Sequence, residues 1–309
     1  LRCLLLALPV VVGTAAYVYA QRRYLPAPRI TTNFAVNQKL VLAREAAAHG
    51  VDVLALGSSM TLNNLASSEV VKHFRTERFL NLGAWGIGAS EAALLGPLLV
   101  DRLHPRTVIV GTNLMDFAGA PLLNSTDSAA IVRTLDTQEP WLEHLRHWNG
   151  PHYLRQIEGN RKRFSDAANY EYFKLDPYGG VTLDVPEDRI DHTRYAKLPP
   201  AATELQEDRY AAFERLAKDL KARGIQLIVL QNAYRDGIRT RESDGLQARH
   251  VARLRALLTP LGHVLVDANT RHWPDALYVD SSHLGPKGAQ EFTAFCMEQL
   301  RVMGVPVAQ

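Results

Sequence analysis

Val51-Asp52-Val53-Leu54-Ala55-Leu56-Gly57-Ser58-Ser59-Met60 is the stretch that decides the fold. Apart from Asp52, Val51 to Leu56 is apolar and rich in branched side chains, the pattern of a strand covered on both faces. Gly57 ends the run and permits a sharp turn, so a hydroxyl emerges at the C-terminal end of an early strand. Open α/β sheets place their ligands at that end of their strands. By itself Gly-Ser-Ser is also an ordinary loop exit, so the rest of the chain must decide between the two readings.

Working outward, strands and helices alternate. Strands are expected at Arg78–Gly83, Thr107–Gly111, Ile225–Leu230 and His263–Asp267. Helices are expected over Phe34–Ala48, Glu91–Leu103 with Ser90 as its cap, Asp208–Ala222, Leu246–Leu258 and Pro286–Met303. Gly96-Pro97 should kink the second of these helices, whereas Pro286 suits the first position of the last. The alternation predicts an α/β fold with a parallel, doubly wound five-stranded sheet. Between about Ala118 and Glu207 the rhythm stops, and aromatic, proline and charged residues take over. A structureless stretch of that length would be improbable in a compact domain. We read it as a large mid-chain insert, helical around Trp141–Asp166 and turn-rich through Asp176-Pro177-Tyr178-Gly179-Gly180, that either covers a site or binds a partner.

The 309 residues are 47% hydrophobic and 22% charged, enough for one large core plus an insert. A net charge of +3 with scattered basic residues, and no aromatics interleaved in Arg161-Lys162-Arg163, does not indicate nucleic-acid binding. Of two cysteines, Cys3 sits in an apolar N-terminal segment and Cys296 between Phe295 and Met297, so no disulfide is expected between them. Cys3 to Ala20 is almost uninterrupted apolar and is followed by Gln21-Arg22-Arg23. About eighteen residues is the short end of a membrane-spanning helix. Residues 1–23 are expected as an uncleaved membrane anchor, with a secretory signal ending near Val18-Tyr19-Ala20 as the alternative. Either reading exports the remainder. Residues 24–33 then read as a linker and 34–309 as the main domain.

Four short segments could carry chemistry. Asp280-Ser281-Ser282-His283 lies just before the closing helix, and an Asp three residues ahead of a His can fix the imidazole tautomer and stabilise the imidazolium. Ser59 would be the matching nucleophile. Asn81-Leu82-Gly83-Ala84-Trp85-Gly86-Ile87-Gly88 follows the second strand; its glycine spacing does not fit a dinucleotide site. Gly111-Thr112-Asn113 ends the third strand, where the Asn113 amide can donate toward the sheet edge. The Ser59 N–H, the Gly86 N–H and the Asn113 amide would make a three-donor oxyanion hole. Asp116 would support Asn113 or simply end the strand. His144 and His147, three apart on a helix, read as a solvated pair, and Asp191 and His192 as surface residues or substrate contacts. No metal, nucleotide or flavin site is expected.

In the order Gly-Ser-Ser, Asn-x-Gly-x-x-Gly, Gly-x-Asn and Asp-x-x-His, these segments resemble the SGNH (GDSL-like) hydrolase superfamily. The resemblance covers about residues 51–117 and 225–300 and leaves the insert outside. It implies a flavodoxin-like three-layer α/β/α sandwich, with Ser59, Asp280 and His283 as the triad and Ser59, Gly86 and Asn113 as oxyanion donors. Three positions depart from the family pattern: Ser58 where Asp is usual, Leu114 where Asp is common, and Gly285 where Asn is frequent. An ordinary α/β-hydrolase is disfavoured, since Ser59 lacks the G-x-S-x-G elbow. With its single N-terminal anchor and large insert, the chain looks like the envelope-modifying branch, which includes the D-alanyl transfer protein of teichoic-acid modification and the alginate O-acetylation proteins. That branch implies a cofactor-free O-acyltransferase of the cell envelope, moving an acyl group from a donor to a glycan or glycolipid, with a multi-pass membrane acyltransferase as partner. An esterase or deacetylase using water, and a non-catalytic scaffold for such a partner, are the alternatives.

Overall fold

The computed structural model describes residues 2–123, 126–137 and 139–305, with the side chains of residues 2–7 and 140 outside the description. Five strands form one parallel sheet: β1 (Val53–Ala55), β2 (Phe79–Asn81), β3 (Thr107–Thr112), β4 (Gln226–Gln231) and β5 (Val264–Asp267), in the order β2-β1-β3-β4-β5. Each lies where the apolar runs put it. In register, Val53 pairs with Phe79 on one side and Thr107 on the other. The chain leaves β1 toward one edge to make β2, then crosses over to make β3 on the opposite side. This reversal makes the β1/β3 boundary the topological switch point, where such sheets hold ligands beyond their carboxyl ends.

The helices are α1 (Arg2–Ala20), α2 (Phe34–Ala47), α3 (Ser59–Asn64), α4 (Ser67–Phe74), α5 (Ala89–Leu103), α6 (Asp127–Asp136), α7 (Pro140–Arg146), α8 (Gly150–Arg163), α9 (His192–Tyr195), α10 (Glu207–Ala222), α11 (Arg241–Leu258) and α12 (Pro286–Val302). Strand residues alternate between two apolar cores, because successive side chains point to opposite faces. Leu54, Val108, Val110, Leu227 and Val229 pack with Leu40 of α2, Leu99 of α5, Phe213 of α10 and Leu254 of α11. Val53, Ala55, Ile109, Ile228 and Leu230 pack with Val70 and Phe74 of α4 and with Phe292, Cys296 and Leu300 of α12. Helices on both faces of a parallel sheet give the expected three layers, and Cys296 is a buried free thiol in one of them.

Strands β1 and β2 are shorter than their apolar runs, and two helix starts differ from expectation. Helix α5 starts at Ala89 with Gly88, not Ser90, at its N-cap, because the Glu91 carboxylate reaches back to accept from Gly88 N at 3.0 Å. It then runs on through Pro97 to Leu103. Helix α11 starts five residues before Leu246, at Arg241, where Thr240 Oγ1 accepts from Ser243 N at 3.1 Å.

The insert is largely helical in its first half, α6 to α8, and turn-rich afterwards. It is packed into the domain rather than appended to it. Phe173 and Val181 join the main core. The buried Lys39 ammonium donates to Asn81 O at 2.9 Å and to Gly179 O, tying α2 and β2 to the Asp176–Gly180 turn. Burial pushes this amine down to about 7, against the opposing pull of Asp176. Val181 N donates to Leu62 O at 3.0 Å and Asn63 Nδ2 to Val181 O at 3.0 Å, so the insert also braces α3.

The N-terminal segment is a helix, Arg2–Ala20, with Leu8, Val10, Val11 and Val12 exposed. Among the described residues no helix is long and apolar enough to cross a membrane. The segment expected as a linker is irregular between Leu25 and Asn33, yet Pro26, Pro28 and Ile30 are buried. Asn160 Nδ2 donates to Tyr24 O at 2.9 Å, and the Asn37 side chain holds Thr31 through both its amide atoms.

Candidate active site

Past β1 the chain turns sharply: Gly57 has φ +138°, and a Cβ there would come within 2.7 Å of Thr61 Oγ1. Ser58 then caps α3, its hydroxyl accepting from Met60 N at 3.1 Å and donating to Asp116 Oδ2 at 3.0 Å. With Ser58 turned inward and 4% exposed, Ser59 is the half-buried hydroxyl of the first helical turn. Thr61 Oγ1 fastens that turn to the neighbouring strand, donating to Gly111 O at 3.0 Å and accepting from Gly111 N at 2.9 Å.

The five residues expected to act together do meet. Ser59, Gly86, Asn113, Asp280 and His283 all line one cavity of ≈ 630 Å³ beyond the carboxyl ends of the strands. His283 Nδ1 lies 2.8 Å from Asp280 Oδ2. Asp280 Oδ1 accepts from Ser282 N at 2.9 Å and from His283 N at 2.8 Å. Burial opposes the charge on Asp280, but His283 and these hydrogen bonds outweigh it and hold the carboxyl at about 2. The carboxylate is therefore ionised and aimed at one ring nitrogen, which leaves His283 Nε2 as the free acceptor. Among the described residues no hydrogen bond joins Ser59 to His283; catalytic contacts of this kind commonly tighten only with substrate bound.

The candidate oxyanion donors come from three loops. Ser59 N is in the first turn of α3. Gly86 has φ +70°, a conformation suited to glycine, and Trp85 before it is wedged between Phe34 and Phe173, ring centroids 6.2 and 4.8 Å away. Asn113 Oδ1 accepts from Met115 N at 2.9 Å, which fixes the amide orientation, and Nδ2 donates to Met60 Sδ at 3.1 Å. A thioether is a weak acceptor, so a developing oxyanion would compete for that N–H at little cost.

Asp116 does support Asn113. Its Oδ2 accepts from Asn113 N at 3.1 Å, Thr112 Oγ1 at 2.9 Å and Ser58 Oγ at 3.0 Å. Complete burial pushes this carboxyl up to about 7 even though all three hydrogen bonds favour its charged form.

Four features of the site escaped the sequence reading. Asn64, fully buried in α3, donates through Nδ2 to Ser282 O and Asn232 Oδ1, both at 2.9 Å, and accepts from Leu284 N at 2.9 Å. It clamps the helix carrying Ser59 to the loop carrying Asp280 and His283. The second is the hydrogen bond of Ser58 to Asp116. The third is which residues of the insert reach the cavity wall, Leu122, Arg194, Lys197 and Leu198 among them. The fourth is the Tyr170 hydroxyl, which donates to Val279 O at 2.6 Å and so braces the Asp280–His283 loop from the insert. Paired asparagines in an apolar helix, Asn63-Asn64, were the available signal for the first.

The remaining candidates lie elsewhere. Asp191 caps α9, accepting from Thr193 N at 2.9 Å, and His192 lines a separate cavity of ≈ 350 Å³. His144 Nδ1 lies 3.2 Å from the Tyr153 hydroxyl, and His147 Nε2 3.4 Å from the buried Glu143. No group of three or more metal-ligating side chains occurs among the described residues. No family model matches the chain, and no curated protein matches it in sequence.

Two outcomes follow from this geometry. Asn64→Ala strands Leu284 N–H, Ser282 C=O and Asn232 Oδ1, and should lower unfolding free energy by about 3 kcal/mol in urea denaturation. The second concerns pH. Because Asp116 has a folded-state value raised from 3.8 to about 7, the folded state binds the extra proton between these limits. Its stabilising contribution is complete below 3.8 and is lost as pH rises through about 7. Relative to Asp116→Asn, the wild-type denaturation midpoint should therefore decline from pH 4 to pH 7 and level off above; a difference that rises with pH would refute the assignment.

Proposed function

We propose that the chain is a serine acyl-transfer enzyme with Ser59 as nucleophile, His283 as general base and acid, and Asp280 as the carboxylate that orients and charges-balances the imidazole. The observation that carries the reading is the ionised Asp280 hydrogen-bonded to His283 Nδ1 at 2.8 Å, on the wall of the cavity that Ser59 also lines. His283 Nε2 takes the Ser59 proton as Oγ attacks the acyl carbon, and the tetrahedral oxygen gathers negative charge. The Ser59 N–H, the Gly86 N–H and the Asn113 amide receive that charge. Collapse returns the proton from His283 to the leaving oxygen and leaves an ester on Ser59. An incoming hydroxyl then gives its proton to His283, attacks the ester and departs acylated, restoring Ser59.

Transfer onto a hydroxyl of a cell-envelope glycan or glycolipid is the favoured form of this chemistry. It draws support from the SGNH-like order of the motifs, from the apolar segment Cys3–Ala20 that would tether the domain, and from insert residues in the cavity wall where an acceptor would lie. A multi-pass membrane acyltransferase supplying the acyl group is the partner this reading implies. Hydrolysis is the same chemistry with water as the acceptor.

With an activated acyl ester, Ser59→Ala should abolish turnover and Asp280→Asn should reduce it about 10³-fold. Ser58→Ala should retain the acylation step, because Ser58 is committed to Met60 N and Asp116. Loss of acylation in Ser58→Ala with retention in Ser59→Ala would reverse the register. Product analysis with glycan fragments present should show acyl glycan; a product mixture of free acid alone would select hydrolysis.

A further inference from the structure

A cavity of ≈ 650 Å³ opens beside the foot of α1 and shares no lining residue with the catalytic one. Arg23 and Tyr24, just beyond the end of α1 at Ala20, form one side of it. This foot is fixed to the insert: Asn160 Nδ2 donates to Tyr24 O at 2.9 Å, and Arg161 Nε donates to Gln21 Oε1 at 3.3 Å. The insert supplies the rest of the wall, chiefly Phe164, Tyr172, Phe173 and Lys174. Phe173 is buried and immobilised, with its N–H donating to Arg163 O at 2.7 Å and its ring centroid 5.5 Å from Phe34 and 4.8 Å from Trp85. An aromatic cavity is therefore already formed where the apolar helix joins the domain.

Its charge is one-sided. No carboxylate lines it. Among the described residues neither Arg23 nor Lys174 has an ion pair or a side-chain hydrogen bond, and both are exposed. The acids closest to Lys174 in sequence are committed elsewhere. Glu171 lies 2.9 Å from Arg163 Nη2, and Asp176 Oδ1 accepts from Tyr178 N at 2.8 Å and Gly180 N at 2.9 Å. Gln38 also lines the cavity, and its enclosed Nε2 has no acceptor among the described residues. Two free cations and an amide donor thus meet an aromatic wall. The setting says what would fill it. Helix α1 leaves Leu8, Val10, Val11, Val12 and Tyr19 more than half exposed, a surface that lipid covers at far lower cost than water. With α1 in a bilayer, the residues at its foot stand at headgroup depth, where aromatic rings and long cationic side chains are favoured.

We propose that this cavity holds the headgroup of an anionic phospholipid, with Arg23 and Lys174 receiving the phosphate, Gln38 donating to it and the aromatic rings lying against the glycerol and first methylenes. The assignment rests on the reading of residues 3–20 as a membrane tether. Full-length protein in uncharged detergent is titrated with phosphatidylglycerol and phosphatidylcholine of matched chains, and bound lipid is read by native mass spectrometry. A cation near an anionic headgroup is worth about fivefold in affinity, so phosphatidylglycerol should bind about tenfold or more tighter. Arg23→Gln/Lys174→Gln should abolish that preference. Arg22→Gln, at a side chain outside the cavity, should change it less than about twofold. Equal binding of the two lipids overturns the site. So does a preference lost as fully in Arg22→Gln as in the double variant, because diffuse juxtamembrane charge would then explain it. Soluble glycerol 3-phosphate binding as tightly as the lipid would make this a free-phosphate site and overturn the lipid assignment. Flotation with phosphatidylcholine vesicles reads the tether separately: protein that stays unbound there refutes the tether on which the site depends, whereas protein that floats but shows no lipid preference refutes the site alone.

Discussion

The site depends on one buried amide. Asn64 sits in the helix that begins at Ser59, yet its side chain is spent on residues far away in sequence: Ser282 and Leu284 beside Asp280 and His283, and Asn232 beyond β4. A parallel sheet delivers its strand ends to one edge but does not set the distances between the loops that leave them. Here that spacing is set by a side chain with both amide atoms satisfied and no exposure to water. Asn232 extends the link, its amide donating to Thr112 O at 3.3 Å, next to Asn113. The helix bearing Ser59, the Asp280–His283 loop and the third strand are thus joined through one buried polar network. Such networks are rigid when every member is paired and costly when one is not, so the geometry is held in a narrow range.

The insert completes this arrangement from outside the sheet. Tyr170 braces the backbone before Asp280, Phe173 wedges Trp85 ahead of Gly86, and Val181 pairs with the far end of α3. It therefore touches the helix bearing Ser59, the Asp280–His283 loop and the Gly86 loop. The same segment places Arg194 and Lys197 on the cavity wall. Bracing contacts and cavity-lining side chains thus fall to different residues of one polypeptide stretch.

Much of this was legible in the residues themselves. Buried parallel strands announce themselves as short apolar runs, and every expected strand end lies within two residues of the observed one, with β1 and β2 shorter than their runs. The catalytic candidates were legible because they stand at strand ends in short, chemically unusual groupings. What could not be read was long-range pairing of polar side chains. Ser58 looked like a second hydroxyl beside the nucleophile until Asp116, 58 residues on, turned out to accept from it. The Asn63-Asn64 pair hints at a polar role but names no partner for Asn64, since its partners lie 168 to 220 residues away. At α5 the competition was local: Ser90 looked like the cap, but Glu91 bonding back to Gly88 N moved the start forward. Arg194 and Lys197 lie in a segment with no hydrophobic period, where only the fold reveals which side chains face the cavity.

The central claim is that Ser59 carries the acyl group and that His283 puts it there. The direct measurement is peptide mapping by mass spectrometry after brief exposure of the full-length protein to an activated acyl ester. Fragmentation should localise the acyl mass to Ser59 in the wild type and find it absent, or formed far more slowly, in His283→Ala. An adduct on Ser58 or any other residue, or one that forms equally fast without the imidazole, would contradict the account.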